Sequence, residues 1–66
     1  MKNNIKVERA ILNLTQEDLA NRIAVSRQTI NAMEANKYVP STVLALKIAR
    51  VFNKPVEQIF FLDTED

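Results

Sequence analysis

The sequence predicts an all-α fold: one compact domain of five short helices, with a short β-element at the chain ends as the one departure. Three observations carry this. Apolar side chains recur at helical spacing from Ile5 to Phe60. Hydroxyl N-cap residues, Thr15, Ser26 and Ser41, stand before three of the apolar stretches. Asn13, Asn36 and Asn53 stand just past three helix ends in a chain without glycine. Asn is the next-best residue for the left-handed conformation that ends a helix.

The first helix is expected over about Ile5–Leu12. Its inward face is ambiguous, since Ile5 and Leu12 mark one stripe and Val7, Ile11 and Leu14 another. Some of these side chains must stay exposed. The second helix, Gln16–Ile23, opens on Thr15 with Asp18 three residues later, a variant of the capping box. Leu19, Ala20 and Ile23 form its core face. Ser26 caps the third helix, Arg27–Ala35, which points Ile30 and Met33 inward.

Ser41, after Pro40, caps the fourth helix, Thr42–Phe52. Val43, Leu44, Leu46, Ile48, Ala49 and Phe52 make it apolar nearly all round, which predicts a central position. Pro55 sits where a first-turn proline is tolerated, ahead of a fifth helix over Val56–Phe60 that adds Ile59 and Phe60 to the core. Phe61 and Leu62 leave the helical stripe, so a short extended segment pairing with residues 2–4 fits the tail. An exposed apolar pair on a small protein marks a partner surface. Val56, Phe61 and Leu62 are therefore the candidate dimer interface; the alternative is a cover over the base of the first helix.

Sixty-six residues form one small core. A chain this short buries only about 60% of its unfolded surface, so self-association is a reasonable source of further stability. The absence of Cys and His excludes disulfides, thiolate metal sites and histidine catalysis. No oxygen-rich loop suits a hard cation, so no metal or cofactor is expected. The longest apolar runs, VLAL and IFFL, are four residues each, and the N-terminus lacks an apolar signal region. The expectation is a cytoplasmic protein without a membrane partner.

The net charge of +1 is uninformative, but its distribution is not. Residues 22–54 carry Arg22, Arg27, Lys37, Lys47, Arg50 and Lys54 against Glu34 alone. Residues 55–66 carry Glu57, Asp63, Glu65 and Asp66 and no base. A basic middle with an acidic tail suits a polyanion on one side only.

Residues 15–38, TQEDLANRIAVSRQTINAMEANKY, read as two helices around the tight turn AVS. Ala20, Val25 and Ile30 let the helices approach and plug the turn. That is the pattern of a helix-turn-helix, whose second helix enters the DNA major groove. Arg27, Gln28 and Thr29 open that second helix, with Ser26 at its cap and Asn31 one turn along. Gln pairs bidentately with adenine, Arg with guanine, and a Thr methyl meets a thymine methyl. Arg27 can serve a phosphate instead. Gln16, at the start of the preceding helix, stands where an anion is favoured, or is simply solvated.

LTQEDLANRIAVSRQTINAMEANKYVPS resembles the helix-turn-helix of the Cro and phage-repressor type, the XRE family of transcriptional regulators. LALKIARVFNKPVEQIF resembles that family's two following helices, so the likeness covers about residues 5–60. Length and tail are similar to a short one-domain subgroup that includes the cytolysin-operon repressor and acts as dimers. The resemblance implies a phage-repressor-like five-helix domain that binds double-stranded operator DNA as a homodimer and represses transcription. It implies a phosphate contact for Gln16 and a backbone-contacting loop at Asn36, Lys37 and Tyr38, although Tyr38 can pack beside Pro40 instead. It further implies an ion pair between Arg9 and Glu34; the alternative is two independent surface charges. The family often has Gly at the positions of Ala24 and Asn36; Ala at 24 is unfavourable if its φ is positive.

Two other functions compete. An antitoxin or protein-binding adaptor would use the same fold, but the toxin-wrapping segment an antitoxin usually needs is not evident beyond residue 60. An enzyme is disfavoured by the missing His, Cys and Gly-rich phosphate loop, and no small-molecule ligand is evident.

Overall fold

Four α-helices follow one another in the computed structural model, which describes residues 1–66: α1 Ile5–Ile11, α2 Gln16–Ile23, α3 Arg27–Glu34 and α4 Thr42–Phe52. A single 3₁₀ turn, Val56–Gln58, comes next. Two short strands, β1 Lys2–Asn3 and β2 Phe60–Phe61, pair antiparallel with Lys2 opposite Phe61 and Asn3 opposite Phe60. The architecture is mostly helical with a small terminal sheet.

The expected fifth helix over Val56–Phe60 is thus replaced. A five-residue helix completes barely one hydrogen-bonded turn, which does not offset the cost of nucleation. Ile59 instead turns its carbonyl to the Asn4 amide at 2.8 Å, and Phe60 enters the strand.

Each of the four helices supplies the centre. Ile5 of α1, Leu19 of α2, Ile30 and Met33 of α3, Ile48 of α4 and Ile59 beyond the 3₁₀ turn are fully buried. Helix α4 is not central on all sides. Val43 and Leu46 are 65% and 57% exposed, contrary to the sequence expectation, because no element packs on that flank. On α1 the inward stripe runs from Ile5 to Glu8, while Val7, Ile11 and Leu12 face outward. The buried Glu8 carboxylate accepts a hydrogen bond from Lys54 Nζ at 2.9 Å, tying α1 to the end of α4.

Every helix ends on a left-handed residue: Asn13, Ala24, Asn36 and Asn53, with φ of 56°, 59°, 60° and 54°. After each, an amide reaches back five residues: Leu14 to Arg9, Val25 to Ala20, Lys37 to Ala32 and Lys54 to Ala49. These bonds satisfy carbonyls that the helix itself leaves open. The N-termini are closed as expected. Thr15 and Asp18 form the full capping box, and Ser26 and Ser41 accept from the amides of Thr29 and Leu44.

Candidate nucleic-acid interface

Helix α3 is anchored from within. Ile30 and Met33 sink into the core, against α2 through Leu19, Ala20 and Ile23. The opposite face holds Arg27, Gln28 and Asn31, all exposed. With Gln16 of α2 they line one shallow recess of about 260 Å³ that has no apolar side chain in its wall. A second recess, shared by Arg9, Thr15, Gln16, Glu17 and Arg27, adjoins it. Arg27 takes no part in the three ion pairs of the chain, so its charge remains available to an anion.

Ser26 and Thr29 are partly committed to the fold. The Ser26 hydroxyl caps α3 and lies 3.0 Å from the Thr29 hydroxyl. Their methylene and methyl surfaces stay at the mouth of the helix, with Ser26 exposed and Thr29 half-buried.

Arg9 and Glu34 hold the base of this surface. The guanidinium donates from Nε and Nη2 to the two Glu34 oxygens and from Nη1 to the Leu14 carbonyl. The hydrogen bond to Glu34 raises the Arg9 pKa above its usual value, and burial opposes that rise without cancelling it. The guanidinium therefore stays charged throughout the ordinary pH range.

Gln16 is where side-chain geometry departs most from the sequence expectation. Its Nε2 donates to Glu34 Oε1 at 3.1 Å and to Asn31 Oδ1 at 3.4 Å. Both amide hydrogens are spent, so this side chain has no donor left for a phosphate. The backbone amides of Gln16 and Glu17, in the first turn of α2, have no internal acceptor and are open to an anion.

The loop after α3 is likewise more occupied than expected. The Asn36 and Lys37 amides close α3 by bonding the Met33 and Ala32 carbonyls, which removes them as phosphate donors. Asn36 Oδ1 accepts from Asn3 Nδ2 at 3.1 Å, and the same Nδ2 donates to the Met33 carbonyl at 2.7 Å. The side chains of Lys37 and Tyr38 remain exposed, Tyr38 at 45%. The bracing role of Asn3 has no local sequence signal; only the pairing of β1 with β2 brings it to the end of α3.

At the other end of the chain, Val56 is half-buried against the core, Phe61 is half-buried within the sheet, and Leu62 is 80% exposed.

The helix-turn-helix family pattern matches residues 5–59, which spans all four helices and the 3₁₀ turn. The chain belongs to the XRE-type helix-turn-helix family of transcriptional regulators. Relatives match over its entire length. An HTH-type transcriptional regulator of Methanocaldococcus jannaschii is 53% identical, with each chain fully covered. One from Archaeoglobus fulgidus is also 53% identical, covering 100% of this chain and 93% of the relative. A Bacillus subtilis relative, also an HTH-type transcriptional regulator, is 44% identical with full coverage of both. Members of the XRE-type family bind DNA and are not enzymes. No helix of this member is long and apolar enough to cross a membrane.

Proposed function

We propose that the protein is a sequence-specific repressor that binds a near-palindromic operator as a homodimer, as the short one-domain repressors it resembles do. The observation that carries this reading is the exposed row of Arg27, Gln28 and Asn31 on a helix pinned from behind by Ile30 and Met33. In this reading α3 enters the major groove, with Gln28 and Arg27 at base edges or Arg27 at a flanking phosphate. Ser26 and Thr29 line the mouth of the helix. Phosphates are held by the open amides of Gln16 and Glu17 and by Lys37 and Tyr38, with the Asn36 turn beside them.

The second copy is assigned to the apolar flank that the monomer leaves uncovered. A groove there is lined by Val39, Pro40, Ala45, Leu46, Val56 and Phe60 among others, with Leu62 exposed on the tail. Met1 stands in the wall of this groove, and Leu46 is shared with a neighbouring cleft that carries Arg50. A two-fold partner would bury this apolar flank against its own copy. Two copies of α3 would then meet successive major grooves about 34 Å apart.

Selection of bound sequences from random duplex DNA, with stoichiometry measured alongside, tests this. A palindromic consensus bound by two chains is expected, and Gln28→Ala should weaken the selected site while sparing nonspecific DNA. Equal losses on both DNAs would refute base reading by Gln28, and a monomer on an asymmetric site would refute the dimer.

A further inference from the structure

We infer that Gln16 and Asn31, on two different helices, act as one base-reading unit selective for adenine. The inference rests on the proposed entry of α3 into the major groove and adds a specificity residue from α2.

The orientation of both amides follows from a carboxylate. Both Glu34 oxygens accept from the Arg9 guanidinium, so Oε1 stands as an acceptor. The atom of Gln16 that lies 3.1 Å from Glu34 Oε1 must therefore be the nitrogen. The same nitrogen lies 3.4 Å from Asn31, so Asn31 must turn its oxygen inward. An exchange of O and N in either amide would set acceptor against acceptor or donor against donor.

The groups left without a protein partner are then fixed. Gln16 keeps Oε1, an acceptor, and Asn31 keeps Nδ2, a donor. Both side chains line the recess that also holds Arg27 and Gln28. Of the four bases, only adenine offers a donor, N6, beside an acceptor, N7, in the major groove. Guanine puts two acceptors there and would set O6 against Gln16 Oε1. Thymine offers an acceptor beside a methyl group, and cytosine a donor alone. The split pair reproduces what a single glutamine does, with the difference that the ion pair on Glu34 holds it in place before DNA arrives.

Sequence selection from random duplexes with the wild type, Gln16→Met, Asn31→Ala and the double variant tests this. Gln16→Met keeps the aliphatic stem, so packing is preserved. In the wild type, one column of each half-site should be adenine. Each single variant should flatten that same column, lowering the preference for adenine about tenfold, the scale of one bidentate contact. The double variant should lose no more than either single one. Loss of affinity by Gln16→Met on all sequences alike, with every column kept, would overturn the inference and show Gln16 serving the backbone. Flattening of two different columns would overturn it as well. A wild type that selects no sequence overturns both this inference and the repressor reading, whereas a retained consensus with an unaltered column overturns this inference alone.

Discussion

Arg9 and Glu34 meet edge to edge between α1 and α3, with Nε 2.6 Å from Oε2 and Nη2 3.0 Å from Oε1. Their side chains are only 13% and 8% exposed. Glu34 Oε1 also receives Gln16, so one carboxylate joins α1, α2 and α3 behind the surface proposed to meet DNA.

Arg9→Ala should destabilise the fold by about 2–3 kcal/mol. Truncation leaves the Glu34 carboxylate covered and short of its cation, and breaking a buried pair typically costs about 3–5 kcal/mol. The pair here is not fully sealed, which places the effect just below that range. Urea denaturation measures it. A loss below about 0.5 kcal/mol would mean that the pair behaves as an exposed bridge.

Ala24→Gly should stabilise the protein by about 0.5–1 kcal/mol. Ala24 sits at φ 59° and ψ 46°, where a Cβ costs roughly 1–2 kcal/mol and glycine's extra chain entropy returns part of the gain. The same change at Asn53, with φ 54°, should have a smaller effect because Asn tolerates this region. Thermal melts of the two variants side by side test the ranking, and an Asn53→Gly gain as large as that of Ala24→Gly would contradict it.

Acid should weaken the start of α2. The Thr15 backbone amide, and after it the Thr15 hydroxyl, hold the Asp18 carboxyl below its ordinary pKa of 3.8. A depressed folded-state pKa means that the contribution is complete above 3.8 and fades as pH falls through the lower folded value. Asp18→Asn should remove this part of the acid dependence. Denaturation midpoints collected from about pH 5 down to pH 2 will show it, and parallel curves for wild type and variant would rule the linkage out.

Lys37→Ala should lower affinity for every DNA sequence alike and reduce the slope of log K against log salt by about 1, as expected for one phosphate contact. Filter binding across a salt series reads this directly. A changed base preference with an unchanged slope would place Lys37 at a base instead.

The elements written in local chemistry were legible in the sequence. The start of α2 follows from Thr15, and both bounds of α4 follow from Ser41 and Asn53, whereas Ala24, the left-handed residue that closes α2, carries no such signal. The Asn residues at 13, 36 and 53 mark chain reversals without a single glycine. What stayed hidden depends on distant parts of the chain. Nothing near Val43 and Leu46 says that no element will cover them, so they read as core. Glu8 looks like a surface charge until Lys54, 46 residues away, closes over it. The exposed face of α3 could be placed from Ser26 and the inward Ile30, but the direction of the Gln16 amide could not. Glu34, 18 residues on, sets it, and only the folded arrangement brings the two together.

Lys2 lies opposite Phe61, so the small sheet joins the strand before α1 to the strand that follows the 3₁₀ turn. Without Phe60 and Phe61, β1 has no strand beside it, and Asn3 grips the tail of α3 from an unpaired segment. Such long-range pairing forms late because its loop must close first. A molecule whose terminal sheet has opened therefore holds α3 more loosely than one whose sheet is closed, which makes this pairing a latch on the helix-turn-helix.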